Sequence, residues 1–417
     1  MARIAILSVP AYGHLNPVLP IARELVRRGH DVVFFNESSF EPLIVATGAR
    51  FSAYPPVIHL EDFSRTLKDG DMIAWIEMIF SASGRLLAAT YAALRDDPPD
   101  IVVYDGIAMW GEMLAAKLRL PSVSISTTFS SDAVTRGLRD VLRDTAGIVP
   151  RLPGFIRGFA SIARHGLLQF PHTLPIVPRR GTLTLMLTSR EFHPPSRWRD
   201  HPAVAFVGCS IDPGTRQERF DFGRLDGRPL LYVSLGTLHH GNAAFFDTCI
   251  RAFADFPGQL LLSVGRGTDL ARFAGAPPKF IVAEAVPQLA ILQRTTVFVT
   301  HGGLNSVHEA LWHGVPMVAA PQQIEQWHNA QAMAAAGAGL VLPGTLGGRP
   351  VDATALREAV TRVAADPAWR VAAARVGASL RQGGFALAAS HIESMARPRS
   401  PGVQTQGPIE LGVGGAS

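Results

Sequence analysis

Arg3-Ile-Ala-Ile-Leu-Ser-Val9, Pro10-Ala-Tyr-Gly-His-Leu-Asn16 and Asp31-Val-Val-Phe-Phe35 decide how the chain begins to fold. The first stretch is a short apolar run closed by Pro10, which reads as a buried strand. The second is a loop. Asn16 and Pro17 suit the N-cap and first position of a helix, Ile21, Leu25 and Val26 recur at helical spacing, and Gly29 stops it. The third stretch is a strand again. Strand, helix and strand in this order make a βαβ unit, and such a unit joins parallel neighbours.

The unit recurs outward along the chain. Strand-like runs at Ile101 to Tyr104, Ser122 to Ser126 and Thr182 to Leu187 accompany a helical run from Met109 to Leu118. From Val207 to Gly227 the chain turns polar and turn-rich, as a linker does. A second series then opens at Leu230-Leu-Tyr-Val-Ser-Leu235 and continues at Gln259 to Val264, Phe280 to Ala283, Val297 to Thr300 and Pro316 to Ala320. Strands alternating with helices predict an α/β chain of two doubly wound parallel sheets. The expected organisation is a domain over 1–212, a linker over 213–228, a second domain over 229–369, terminal helices over 370–397 and a disordered tail over 398–417. Ligands bind such sheets at the carboxyl ends of their strands, so two facing domains imply a cleft between them.

Composition narrows the function. Of 417 residues, 47% are hydrophobic and 18% charged, which is enough apolar material for full cores. The net charge of +5 is carried by arginine scattered along the chain, Lys68, Lys117 and Lys279 being the only lysines, so no nucleic-acid stripe forms. Cys209 and Cys249 are too few for a disulfide framework or a cysteine-rich zinc site, and a reducing cytoplasm is expected. Pro10, Gly13 and His14 interrupt the first apolar run too early for a signal peptide. No uninterrupted apolar run reaches the ~18 residues a spanning helix needs.

The densest signal is Thr300-His-Gly-Gly-Leu-Asn-Ser-Val-His-Glu-Ala-Leu-Trp-His-Gly314. A strand ends at Thr300, two glycines allow a tight turn, and a helix is predicted from Asn305 or Ser306 to Gly314. The N–H groups and partial positive charge of a helix start suit a diphosphate, and His301 adds a donor there. The alternative is local: Ser306-Val-His-Glu309 also matches a capping box that needs no ligand. Ser234-Leu-Gly-Thr237, Val286-Pro-Gln288 and Glu325-Gln326 follow other predicted strands, so four polar turns line one edge of one sheet.

This ordered set resembles the donor signature of the UDP-glycosyltransferase superfamily, inverting and metal-independent enzymes of the GT-B fold, and is most similar to its bacterial macrolide-type branch. The likeness runs from Met1 to about residue 395. It implies that His301 contacts the diphosphate with Asn305 and Ser306 beside it, and that Glu309 bridges the ribose hydroxyls. It also implies that Glu325 and Gln326 hold the sugar hydroxyls, with Gly236, Thr237, Val286, Gln288 and Gly303 completing the donor site. The last helices would cross back to the first domain. One departure stands out: where the family commonly stacks a Trp on the base, this chain has Ala285. Loss of such a platform costs roughly 1–3 kcal/mol by analogy with other base–aromatic contacts, which loosens the choice between UDP and dTDP.

His14 follows the first strand and Asp105 follows Ile101-Val-Val-Tyr104, so both emerge at strand ends. Histidine, with an ordinary pKa near 6.5, is suited to take a proton from a hydroxyl, and a carboxylate can fix its tautomer. Capping or packing is the ordinary alternative for a lone histidine. The resemblance matches His14 and Asp105 to the family's catalytic dyad.

Other signals carry less. Asp69-Gly-Asp71 fits a metal-dependent pattern but reads as a solvated turn, Asp221-Phe-Gly223 lacks the other kinase elements, and His239-His240 lack a third metal ligand. No G-x-G-x-x-G follows either opening strand, against a dinucleotide oxidoreductase. Phe245, Phe246, Phe253 and Phe256 read as core. Trp75, Phe80 and the run from Met72 to Ile79 fit either an acceptor-pocket wall or a packed amphipathic helix. Residues 130–180 fit a variable pocket wall.

The expectation is therefore a hexosyltransferase without metal or other cofactor, moving a sugar (glucose first) from a nucleotide-diphosphate donor (UDP first) to a hydroxyl of an apolar small molecule. It would be a monomer or weak dimer. A non-catalytic nucleotide-sugar-binding partner protein and a GT-B epimerase are the other readings.

Overall fold

Strands buried on both faces read as near-continuous apolar runs, and this is the condition under which parallel sheets form. The computed structural model describes residues 1–59, 61, 72–130, 149–165, 182–216, 218–236, 242–345 and 350–396. Among these, the first sheet contains β1 (Arg3–Leu7), β2 (Asp31–Asn36), β3 (Arg50–Ala53), β4 (Ile101–Asp105), β5 (Ser122–Ser126), β6 (Leu183–Met186) and β7 (Val204–Phe206). The second contains β8 (Leu230–Ser234), β9 (Gln259–Ser263), β10 (Phe280–Ala283), β11 (Thr295–Thr300), β12 (Met317–Ala319) and β13 (Gly339–Val341). The spatial orders are β3-β2-β1-β4-β5-β6-β7 and β10-β9-β8-β11-β12-β13, and the strand pairs are parallel.

The period of two along each strand divides its side chains between two cores. Ile4 and Ile6 pack with Ile101, Val103 and Ile125 on one face of the first sheet, while Ala5 and Leu7 pack with Val102 and Tyr104 on the other. In the second sheet Leu231 and Val233 share one core with Val297 and Val299; Leu230 and Tyr232 share the other with Phe298. Both sheets reverse direction of winding between their first and fourth strands, β1 with β4 and β8 with β11. Such a switch point opens a crevice at the strands' carboxyl ends.

Several expectations change. The helix predicted from Asn16 is broken in two: Tyr12–Leu15 forms one turn for which Asn16 is the C-cap, and the longer helix is Leu19–Arg27 with Pro20 in its first turn. Pro17 has no N–H to continue the first turn, so the chain restarts. The edge strands β3, β7 and β13 had no apolar signature, being short and only partly buried. Trp75, Ile79 and Phe80 lie on the helix Met72–Leu94 and are buried in the first domain's core, the packing alternative of the two. Phe245, Phe246 and Phe253 are likewise core, with Phe256 packed against them. Asp221 caps a 3-10 turn by accepting from the Gly223 N–H. Thr237, His239, His240, Asp69, Asp71, much of 130–180 and the tail from 397 lie outside the described residues.

Two segments connect the domains. The helix Ala368–Leu380 still packs in the second domain through Ala373, Val376 and Leu380. The crossing comes just after it, and Gly384–Met395 places Ala388, Ala389 and Ile392 in the first domain's core. There the outgoing and returning chains touch backbone to backbone: Cys209 N–H donates to the Leu380 carbonyl at 2.8 Å, and Gly384 N–H to that of Val207 at 2.5 Å. A Cβ at Gly208 would meet the Gln382 carbonyl oxygen at 2.5 Å, so only glycine permits this approach.

Candidate active site

Of the residues singled out in the sequence, His14, Asp105, Gly236 and His301 come to the two switch points. β1 and β4 run in register with Leu7 opposite Tyr104, so the loop after β1 and Asp105 at the end of β4 emerge side by side. The short turn Tyr12–Leu15 then brings His14 over Asp105. His14 Nδ1 and Asp105 Oδ2 are 2.7 Å apart, and the other carboxylate oxygen accepts from the Ile107 N–H at 2.9 Å. A carboxylate only accepts, so Nδ1 carries the proton and the basic lone pair lies on Nε2. Thr127, one residue beyond β5, sets its hydroxyl 3.0 Å from the same nitrogen. Nothing in the sequence distinguished this threonine from any other residue at a strand end.

Burial on its own would lower the pKa of His14. The adjacent Asp105 charge, its hydrogen bond and the more distant charge of Glu325 outweigh it, and the imidazole sits above its ordinary value. Glu325 belongs to the other domain, near the start of the helix Ile324–Ala335. Burial raises its carboxyl above the usual range, opposed by a 2.9 Å hydrogen bond from the Asn329 amide and by the charge of His14. The two groups thus influence each other between the domains.

At the second switch point, β8 and β11 pair with Ser234 opposite Thr300. Gly236 and His301 leave these strands together. A Cβ on Gly236 would meet the imidazole of His301 at 2.5 Å, as would one on Gly303, so the ring is held between two glycines. Gly236 also has φ of 71°, in the left-handed region that glycine adopts without strain. The helix after this turn spans Leu304–Trp312 with Gly303 as N-cap, one residue earlier than predicted from Asn305. Ser306 is therefore inside the first turn, and the capping box with Glu309 does not form.

Glu309 instead enters a buried polar network. Its Oε2 accepts from the Gln288 amide at 2.7 Å, and Gln288 Oε1 accepts from the Tyr232 hydroxyl at 3.0 Å. The Gln288 amide also reaches Ser306 Oγ at 3.4 Å. Glu309 Oε1 accepts from the Arg216 guanidinium at 2.5 Å. Arg216, in the linker, was absent from the sequence reading, where a turn-rich stretch gave no reason to prefer one arginine over another. Val286 points into the apolar core, and Ala285 is half-buried beside it.

Two expected donor residues make hydrogen bonds within the protein. Gln326 is 2% exposed, and its amide oxygen accepts from the Gln322 and Gln323 N–H groups, closing a capping box at the start of its helix. Asn305 reaches out of the second domain altogether and donates to the Gly13 carbonyl at 2.7 Å. Among the described residues, no group of three or more His, Cys, Asp or Glu side chains is placed to hold a metal ion. No helix among them is long and apolar enough to cross a membrane.

Comparison with known proteins identifies the family. Residues 249–382 match the family described as erythromycin biosynthesis protein CIII-like, C-terminal domain. Oleandomycin glycosyltransferase of Streptomyces antibioticus is 31% identical over 410 residues, spanning 94% of this chain and 90% of that protein. The chain belongs to the family 1 GT-B glycosyltransferases. The NDP-glycosyltransferase YjiC of Bacillus licheniformis is 30% identical to this glycosyltransferase, over 95% of the chain and 98% of the relative. The solved glycotransferase of kitacinnamycin superposes with a TM-score of 0.78 at 30% identity, covering 95% of this glycosyltransferase and 99% of its own chain. The two parallel-sheet domains are those of the GT-B fold, as the resemblance implied.

Proposed function

We propose that this glycosyltransferase moves a hexose from a nucleoside-diphosphate sugar to a hydroxyl group of an apolar natural product, by a single displacement that inverts the anomeric carbon. The observation that carries the reading is the His14–Asp105 pair at 2.7 Å, set at one switch point. The acceptor hydroxyl attacks while Nε2 of His14 takes its proton, and Asp105 stabilises the imidazolium that forms. Negative charge grows on the departing diphosphate. His301, the backbone N–H groups around Gly302 and Gly303 and the start of the helix Leu304–Trp312 would receive it, with no metal ion assigned a part.

Glu309 takes the ribose in this reading, and Glu325 a sugar hydroxyl. UDP-glucose is the first donor to try. With Ala285 where an aromatic platform would be, dTDP-sugars stand close behind. The relatives named for oleandomycin and for demethyllactenocin support a hydroxylated macrolide-like acceptor. The test is mass spectrometry of reactions that pair the purified protein with UDP- and dTDP-sugars and a panel of polyketide and phenolic acceptors, with and without chelator. A sugar adduct from the parent, with His14→Ala reduced roughly 10²–10⁴-fold, supports transfer and base together. Donor turnover without an adduct would replace the reading by epimerisation or hydrolysis, and full activity in His14→Ala would remove the base.

A further inference from the structure

The helix Leu152–His165 lies within the stretch read from sequence as a variable pocket wall. Gly154, Gly158 and Ile162, spaced by four, make its inner side and are buried. Ile162 belongs to the first domain's core, and the glycines let the helix press onto Met72–Leu94, where a Cβ on Gly158 would meet the Phe80 ring at 3.0 Å. Phe155 and Phe159 flank that ring edge-on, with centroids 6.3 and 4.6 Å away. The outer side is apolar as well. Leu152, Ile156 and Phe159 recur at helical spacing and are 47, 65 and 50% exposed. Among the described residues, no other helix exposes three large apolar side chains.

Charge decides what such a face can meet. Arg157 and Arg164, seven residues apart and so in line along the helix, are both exposed. The Arg157 guanidinium is 3.9 Å from Glu77, a carboxylate that already pairs with Arg151 at 3.2 Å. Between Asp144 and Glu191 the sequence holds six arginines and no carboxylate, although the whole chain has 39 basic and 34 acidic residues. A helix with an apolar stripe and an arginine border suits the surface of an anionic bilayer, where apolar burial and attraction to acidic headgroups add. A second copy of the chain would bring the same carboxylate-free segment to this face, and like charges oppose that pairing.

We propose that the outer side of Leu152–His165 is a docking surface for anionic lipid. Leu152, Ile156 and Phe159 enter the headgroup boundary, and Arg157 and Arg164 meet the acidic headgroups. The chain then rests on the membrane without crossing it, in keeping with the lack of a spanning helix among the described residues. The close packing of the inner glycines makes the helix a fixed part of the first domain, so docking orients that domain against the bilayer. The docking does not depend on the transfer reaction. On the reading of the acceptor as an apolar natural product, the same bilayer would gather enzyme and acceptor together.

The experiment is sedimentation of the full chain with vesicles of phosphatidylcholine alone, or with about one-third phosphatidylserine. The parent is compared with Leu152→Ser/Ile156→Ser and with Arg157→Gln/Arg164→Gln. The parent should bind the anionic vesicles at least ~10-fold more tightly than the neutral ones, and less tightly as salt is raised. The arginine variant should bind them roughly 10–30-fold more weakly, each basic residue near an anionic surface contributing about five-fold. The apolar variant should lose at least ~10-fold. Both are changed only at exposed positions, so the melting temperature should stay that of the parent. No vesicle binding by the parent, equal binding to neutral vesicles, or binding unchanged in either variant would overturn the proposal. A dimer of the parent that Leu152→Ser/Ile156→Ser dissolves, with no vesicle binding, would assign the face to a second copy instead. None of these readouts uses the transfer reaction, so a failure of docking and a failure of the acceptor reading are told apart.

Discussion

His14 shows how burial and two neighbours set one proton. Burial pulls its pKa down, while the Asp105 charge and hydrogen bond and the charge of Glu325 push it up and prevail. A base must be neutral to act, so kcat should fall on the acid side through a limb above the ordinary 6.5. In Asp105→Asn the larger upward pull is gone, while burial and the lesser pull of Glu325 remain. The limb should move to lower pH, and turnover should fall by roughly 10²–10⁴-fold as the tautomer is no longer fixed. A pH profile of both proteins decides this; a limb left in place would show that Asp105 does not govern His14. The same raised value has a stability sign. The pair's contribution is complete below the unfolded pKa and fades as pH rises through the folded one. At this scale the sequence was informative where a residue sat in a recognisable string, as His14, Asp105, His301 and Glu309 do. Thr127 and Arg216 were not legible, because their partners lie 113 and 93 residues away and only the register of folded strands brings them together.

Elements were legible in proportion to their burial. Central strands, apolar on both faces, were read within a residue or two, whereas β3, β7 and β13 at or near the sheet edges were invisible. The helix Leu304–Trp312 was found but its start was misplaced, since Ser306 and Glu309 mimic a cap while serving a tertiary network. This helix also carries His308, whose imidazole burial lowers to about 3. Between about pH 3 and 6.5 it is neutral in the folded protein while protonated in the unfolded chain. Stability should therefore decline as pH falls from about 6.5 toward 3, with His308 supplying part of the slope. Denaturant titrations across that range on the parent and His308→Gln would measure the difference, and parallel curves would show that His308 contributes nothing to it.

The whole molecule is held by exchange between its domains. The helix Gly384–Met395 lies in sequence after the second domain yet packs with the first, through Ile392 and through Glu393, which accepts from Arg28 at 2.6 Å and pairs with His30 at 2.7 Å. Ile392→Ala should cost about 2–5 kcal/mol, and calorimetry should show the loss in the transition of the first domain. A loss confined to the second domain's transition would contradict the packing. The alternation of strands and helices predicted two domains from sequence. The crossing point did not show, because Ala368–Leu380 and Gly384–Met395 are similar amphipathic helices and only the Gly383-Gly384 pair separates them. That crossing has a consequence for chain continuity. The linker near Glu218 and Arg219 is exposed, and the returning helix already holds the halves together without it. A protein cut there would remain one particle: two polypeptides, neither complete, with the second fragment supplying the first with a helix its own sequence lacks.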